Sequence, residues 1–157
     1  MSTFNQVMQL RRAVLAKVEK IAWFAPLLAR LAVGIVFLTT GWGKLHNLSQ
    51  VTDYFTELHI PAPHAQAILV ATTEFLGGLC LTVGLFTRLA ALPLSVTMVV
   101  AILTAKRAEI DGINALFGFE EFLYFTIFIW LAIVGPGKIS IDHLIVRRLD
   151  PTAVKQS

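Results

Sequence analysis

Residues 63–88 read PHAQAILVATTEFLGGLCLTVGLFTR, an apolar run with a single acid, Glu74, near its middle. The run is long enough to cross a bilayer as a helix of roughly 20 residues. Apart from Glu74, its core from Ala65 to Phe86 holds no ionisable side chain except that of Cys80. A charge at that depth costs about 3 kcal/mol unless it is paired or neutralised. The sequence therefore predicts a membrane helix whose acid faces the protein interior.

The composition indicates an integral membrane protein. Hydrophobic residues make up 56% of the chain and the mean hydropathy is +0.72, whereas soluble domains contain about 45–50% apolar residues. Apolar runs long enough to span occur at 21–42, 65–86, 89–105 and 117–134. Since none of them alternates with period two, helices are favoured over a membrane barrel. We predict an all-α fold, an integral membrane four-helix bundle with an N-terminal amphipathic helix.

The positions of the basic residues predict the orientation. With the N-terminus in the cytoplasm, nine Lys and Arg residues lie on the inner side and three, Lys44, Lys106 and Arg107, on the outer side. Basic residues are enriched in cytoplasmic loops, so both termini are predicted to be cytoplasmic. Topology thus accounts for the basic tails, and no nucleic-acid partner is expected.

Three segments follow from this layout. Residues 1–20 form an amphipathic cytoplasmic segment with Val7, Leu10, Val14 and Val18 on one face. They are interpreted as a helix on the inner leaflet, with a frayed tail as the alternative. Residues 21–142 form the four-span transmembrane domain, and residues 143–157 form a cytoplasmic tail.

The first two spans each have one face of small and polar residues. In the first span this face carries Arg30, Gly34, Phe37, Gly41 and Lys44, because steps of three and four residues return to the same side of a helix. In the second span the corresponding face carries Ala67, Ala71, Glu74, Gly78 and Thr82. We predict that Gly34, Gly41, Gly77 and Gly78 allow close helix packing.

Depths counted from the inner helix ends predict contact between the charged residues of these faces. At about 1.5 Å per residue, Glu74 lies roughly 16 Å from residue 85 and Arg30 roughly 12 Å from residue 22. Arg30 and Glu74 are therefore predicted to form a buried pair. For Lys44, a place at the outer interface is the plainer interpretation, and a ligand-binding or proton-linked role is the alternative.

The fourth span begins with two adjacent acids. Glu121 shares a face with Tyr124, whereas Glu120 points about 100° away, so Glu121 and Tyr124 are predicted to face the bundle. Two solvated acids at the start of a helix are an equal alternative.

The sequence offers few redox or metal ligands. His46, His59 and His64 share one connection but lack HxxxH spacing, so no metal site is predicted. The single cysteine, the absence of CxxC and the absence of histidine from the spans indicate that the chain itself builds no disulfide redox or haem centre.

Five short motifs carry a family resemblance. They are RLAVG at 30–34, GWGK at 41–44, EFLGG at 74–78, GLFTR at 84–88 and GPGKISID at 135–142. In this order they resemble the DoxX family of small bacterial membrane proteins over residues 25–142. The resemblance implies a multi-pass, four-helix protein of the bacterial cytoplasmic (inner) membrane. It also implies a link to quinone-coupled thiosulfate oxidation or to complexes for oxidative-stress defence.

Three hypotheses for function follow. The first is an auxiliary or quinone-associated subunit of a membrane redox or oxidative-stress complex, with a buried Arg30/Glu74 polar centre and a soluble or membrane redox partner. The second is a transporter or binding protein for a small molecule or lipid, with Glu74 and Glu121 as protonatable groups and a homodimer as the working unit. The third is that the pair only fixes helix register. Enzymatic activity is left open.

Overall fold

The computed structural model describes residues 2–149, which fold into helices joined by short connections. Its eight α-helices are α1 (Ser2–Ile21), α2 (Phe24–His46), α3 (Leu48–Glu57), α4 (Pro63–Val83), α5 (Thr87–Thr104), α6 (Ile113–Gly118), α7 (Glu120–Val134) and α8 (Ile141–Leu149). A single 3-10 turn, Arg107–Glu109, follows α5. The predicted all-α class is confirmed, since no strand occurs within residues 2–149.

Three helices are long and apolar enough to cross a membrane, namely α2, α4 and α5. The predicted fourth span, 117–134, is interrupted because Phe119 has an extended backbone and α7 begins only at Glu120. With 15 residues, α7 is about 22 Å long, shorter than a hydrocarbon core of about 30 Å. A fourth crossing therefore stays a prediction.

The bundle is built from two helix pairs, α2 with α4 and α5 with α7, joined through α4 and α5. Glycines bring α2 and α4 into backbone contact. A Cβ atom on Gly78 would lie 2.2 Å from Leu38 N, and one on Gly41 would lie 2.3 Å from Phe75 N. Membrane helices gain no hydrophobic free energy by associating, so such close van der Waals packing holds them together.

The faces of α2 and α4 match the predicted periodicity. Arg30, Gly34, Phe37 and Gly41 are buried on α2, whereas Leu28, Ile35 and Trp42 are about half exposed. On α4 the buried residues are Ala67, Ala71, Glu74, Gly77, Gly78 and Leu81. Most exposed residues in the middle of both helices are apolar and suit contact with lipid.

The apolar core lies between α2, α4, α5 and α7. Its buried members are Val33, Phe37, Leu81, Ala91, Leu94, Met98, Phe128 and Leu131. The ring of Phe37 packs edge-on against Phe128, with centroids 4.9 Å apart, and against Tyr124, with centroids 5.2 Å apart.

At one end of the bundle, α8 is attached to the turn between α4 and α5. Both Asp142 oxygens accept backbone N–H bonds at the start of α5, from Phe86 at 2.7 Å and from Thr87 at 3.0 Å. The backbone N–H of Asp142 in turn donates to Gly84 O at 2.9 Å. A carboxylate is favourable at a helix N-terminus, where it satisfies free N–H groups. We call this region the turn end of the bundle.

The remaining helices lie on the outside. The helical form of α1 matches the prediction. Its described side chains are exposed except that of Met8, which is partly buried, and its place on the inner leaflet stays a prediction. α3 packs against α4. Of the predicted cytoplasmic tail, residues 143–149 belong to α8, and residues 150–157 lie outside the described part of the chain. The three-segment division also stays a prediction.

Candidate functional site

A cavity of about 830 Å³ lies in the half of the bundle away from the turn end. It is bounded by α2, α4, α5 and the start of α7, and it is covered by α3 and the loop that follows α3. Most of its wall is apolar, with contributions that include Phe37, Phe55, Leu69, Val96 and Met98. Its size is in the range of pockets that bind small organic molecules.

An ion pair stands on this wall. Lys44 Nζ on α2 donates a hydrogen bond to Glu74 Oε1 on α4 at 2.5 Å. The Glu74 side chain is 4% exposed and that of Lys44 is 35% exposed. Thr40 Oγ1 lies 3.4 Å from the other carboxylate oxygen. The acid is therefore paired at its depth in the bundle, which offsets the cost of burying a charge.

The start of α7 adds polar groups on the opposite wall. Glu120, Glu121 and Tyr124 all line the cavity. Glu121 Oε2 is buried and has no hydrogen-bond partner within residues 2–149. Tyr124 packs against Phe37, which fixes its ring. Both acids therefore lie on the cavity wall, whereas only Glu121 was predicted to face the bundle.

The cavity reaches the lipid-facing surface between α4 and α5. Leu69 on α4, together with Val96 and Val100 on α5, lines it, yet these side chains are 60%, 60% and 44% exposed. α4 and α5 are joined by a tight turn at Gly84 (φ +72°), and the cavity lies between them farther from that turn. The cavity is therefore open on the side between α4 and α5.

The predicted Arg30/Glu74 pair is wrong. Glu74 binds Lys44, whereas Arg30 Nη2 donates to Ile139 O at 2.5 Å at the turn end. Arg30 lies opposite Gly84, where an added Cβ would collide with its guanidinium. Gly84, the C-cap of α4, is ten residues from Glu74, so the two charges are separated by about 15 Å along the bundle.

The prediction failed because it assumed the wrong offset between α2 and α4 along the bundle. The depths of Arg30 and Glu74 were each counted from a presumed inner end of the helix. In the structure, Gly41 lies opposite the Glu74–Phe75 backbone, and this contact brings Glu74 to the level of Lys44. Arg30 is 2% exposed, and its Nε and Nη1 have no hydrogen-bond partner in the part of the chain that the structure describes.

Sequence reasoning missed the walls contributed by α3 and by the loop before α4. Tyr54, Phe55 and Leu58 line the cavity from α3, and His59 and Ile60 continue from the loop. The amphipathic pattern of residues 51–58 was the available signal, because an apolar face on a short helix needs a surface to cover. Nothing in the sequence indicated that this surface was a cavity.

The donors and acceptors on the wall suit an amphipathic molecule with oxygen atoms on a flat apolar body. Lys44 and Tyr124 can donate hydrogen bonds, and Glu74 and Glu121 can accept them or hold protons. The aromatic and aliphatic wall suits a ring and a chain. Residues 2–149 contain no group of three or more His, Cys, Asp or Glu side chains that could hold a metal ion.

Comparison with known proteins identifies relatives of similar length. The chain is 33% identical to "Inner membrane protein YqjF" of Escherichia coli (strain K12) over 123 residues, which cover 78% of this chain and 92% of that protein. It is 30% identical to "Inner membrane protein YphA" of the same organism over 122 residues, covering 74% of this chain and 87% of the relative.

A third relative carries a name that refers to a reaction. The chain is 29% identical over 122 residues to "Putative oxidoreductase CatD" of Bacillus subtilis (strain 168), which covers 77% of this chain and 87% of that protein. No solved structure matches the chain. The family profile described as DoxX matches residues 25–107, a segment that holds α2, α4, α5 and the Lys44–Glu74 pair. The chain belongs to the DoxX family.

Proposed function

We propose that this protein is a quinone-associated membrane subunit of a redox or oxidative-stress system in the bacterial inner membrane. The observation that carries the proposal is the Lys44–Glu74 ion pair on the wall of a mostly apolar cavity that opens towards lipid. An apolar cavity with a few convergent polar groups is the usual form of a small-molecule site. The lateral opening suits a ligand that is dissolved in the bilayer.

The side chains around the cavity supply the two contacts that a quinone head group requires. A quinone bound there would supply carbonyl oxygens whose reduction takes up two electrons and two protons. Lys44 Nζ and the Tyr124 hydroxyl would donate hydrogen bonds to these oxygens, and Glu74 and Glu121, which line the same cavity, would hold protons. A separate redox protein of the membrane or cytoplasm supplies or removes the electrons.

The relatives support the setting of the proposal. Two of them are named inner membrane proteins, and a third carries the name "Putative oxidoreductase CatD". An auxiliary role fits a chain that has one cysteine and no CxxC motif, since it cannot form a disulfide redox couple by itself. We assign it quinone binding and proton handling.

Retained quinone tests the proposal directly. The protein is extracted in mild detergent from a quinone-containing membrane, and organic extracts are analysed by mass spectrometry. We expect about one quinone per protomer in the wild type and at least about a tenfold loss in Lys44→Met, because a hydrogen bond to a charged donor contributes about 1.5–3 kcal/mol.

A matched lysine provides the control. Lys106 lies outside the cavity and outside the spanning helices, and its hydrogen bond to Glu109 raises the pKa of Lys106. Lys106→Met should therefore retain quinone as the wild type does. Equal retention by Lys44→Met and Lys106→Met, or no quinone in the wild type, would contradict the proposal.

A second candidate function is transport or binding of a small molecule or lipid. The observation that favours it is the buried, unpartnered Glu121 Oε2, which has no hydrogen-bond partner within residues 2–149. A carboxyl group of this kind suits proton coupling along a path. The same mass spectrometry distinguishes the candidates, because a retained lipid or metabolite in place of quinone favours the second.

A further inference from the structure

A second concave surface lies at the turn end, far from the cavity with Lys44. It encloses about 660 Å³ between the start of α5, the connection after α7 and the first turns of α8. We call it the turn-end groove. Its polar lining includes Arg88, Lys138, Asp142 and His143, and its apolar lining includes Phe86 and Leu89.

The polar part of the groove carries a net positive charge. Arg88 and Lys138 are exposed cations on its wall, and His143 lies beside them partly buried. The single acid in the lining is Asp142, and both of its oxygens are occupied by the backbone N–H groups of Phe86 and Thr87. The cations therefore remain available to an external anion.

The protein backbone holds Arg88 in position. Its Nη2 lies 3.4 Å from Val134 O, and its Nε would lie 2.9 Å from a Cβ on Gly135. Gly135 has φ +89°, a conformation that glycine adopts without strain, so the guanidinium can lie flat against this turn. A guanidinium has five N–H donors, and most of them stay free for a ligand.

The rest of the groove is apolar and faces outward. Phe86 and Leu89 are 59% and 66% exposed, and Ile145 and Val146 on α8 are 41% and 44% exposed. α4 ends at Val83 and α5 begins at Thr87, so the groove lies where two spanning helices leave the hydrocarbon. Cations next to exposed apolar side chains at this depth match a phosphate group above acyl chains.

We propose that the turn-end groove binds an anionic phospholipid. The lipid phosphate lies between Arg88 and Lys138, and the acyl chains lie along Phe86 and Leu89. A second copy of this chain is a poorer occupant, because a two-fold interface would place the same cations against each other. Free phosphate would leave the apolar part uncovered, whereas a phospholipid covers both parts.

Native mass spectrometry of the full chain, released from micelles supplied with equal amounts of phosphatidylglycerol and phosphatidylcholine, tests the proposal. We expect the wild type to retain phosphatidylglycerol preferentially. The double variant Arg88→Gln/Lys138→Gln should bind it roughly 25-fold more weakly, at about fivefold per lost charge near the membrane surface. The control Arg107→Gln/Lys106→Gln removes one Arg and one Lys outside the groove and should keep the preference.

Charge-retaining substitutions separate recognition from folding. Arg88→Lys/Lys138→Arg keeps both charges and should keep the preference for phosphatidylglycerol, and its thermal unfolding is measured beside that of the Gln variant. Equal retention of the two lipids by the wild type would overturn the proposal, as would wild-type affinity in the Gln variant. Chemical cross-linking that shows the groove covered by a second copy would also overturn it.

Discussion

The contact between Gly41 and α4 provides the sharpest test of the packing. A Cβ on Gly41 would lie 2.3 Å from Phe75 N, 2.7 Å from Phe75 Cα and 2.8 Å from Glu74 C. Carbon atoms in contact prefer separations of about 3.5–4.0 Å. All three neighbours are backbone atoms, so no rotamer change relieves the collision. Gly41→Ala therefore forces α2 and α4 apart by about 1 Å.

The size of the effect follows from two opposing terms. Overpacking a tight contact costs about 1–3 kcal/mol, whereas alanine in place of a helical glycine recovers about 0.5–1 kcal/mol. We expect a net loss of about 1 kcal/mol and a Tm lower by about 2–4 °C. Lys44 lies one turn beyond Gly41, so the same displacement should also weaken its ion pair with Glu74.

The neighbouring glycine is the matched control. Gly43 is in the same helix, but a Cβ there meets nothing within 4 Å, so Gly43→Ala should leave Tm unchanged or raise it slightly. Cys80, the single cysteine of the chain, lies partly buried in α4. A thiol-reactive fluorescent dye can therefore report unfolding in detergent. Equal Tm values for the two variants would refute the backbone contact between α2 and α4.

Two further predictions concern the polar contacts. In a double-mutant cycle, Lys44→Met and Glu74→Gln should be non-additive by about 1–2 kcal/mol in thermal stability, because the side chains pair at 2.5 Å; additive losses would show that they do not interact. Asp142→Ala should lower stability by about 1–2 kcal/mol through loss of the cap on α5 and should expose α8 to limited proteolysis. Asp111→Ala, a change at an exposed loop acid, is its control, and equal proteolysis rates in the two variants would contradict the capping role.

The inward faces were predictable because one helix contains the whole signal. Ala67, Ala71 and Glu74 recur with the period of a helix, and the structure buries all three. The opposing set, which includes Leu69 and Leu76, is exposed. The pattern needs no knowledge of any other element, so sequence alone defines it.

The partner of Glu74 was not predictable in the same way. Whether Arg30 or Lys44 meets the acid depends on how far α4 slides along α2, and both residues share one face of α2. That position is set by contacts across the two helices, such as the one between Gly41 and Phe75. The spacing of residues within one helix shows which face is buried, but it does not show how far that helix is shifted along its neighbour.

The cap on α5 left a weak trace in the sequence. Phe86 occupies the N-cap position and has no side chain that accepts a hydrogen bond, although Ser, Thr, Asp and Asn are preferred there. A missing cap implies that another part of the chain supplies the acceptor. Nothing local identifies Asp142 as that part, since 56 residues separate it from Phe86.

The polar groups at the turn end and those in the cavity lie in different halves of the bundle, and substitutions in the two regions should have different effects. At the turn end, Arg30 and Asp142 bind backbone groups of other elements, so their loss should reduce stability and activity together. In the cavity, Lys44 and Glu74 bind each other beside open volume, where a ligand can compete for the same atoms. Variants of Glu121, which has an unpartnered oxygen on that wall within residues 2–149, should reduce ligand binding and leave Tm nearly unchanged. A stability assay beside a binding assay therefore assigns each acid to structure or to ligand.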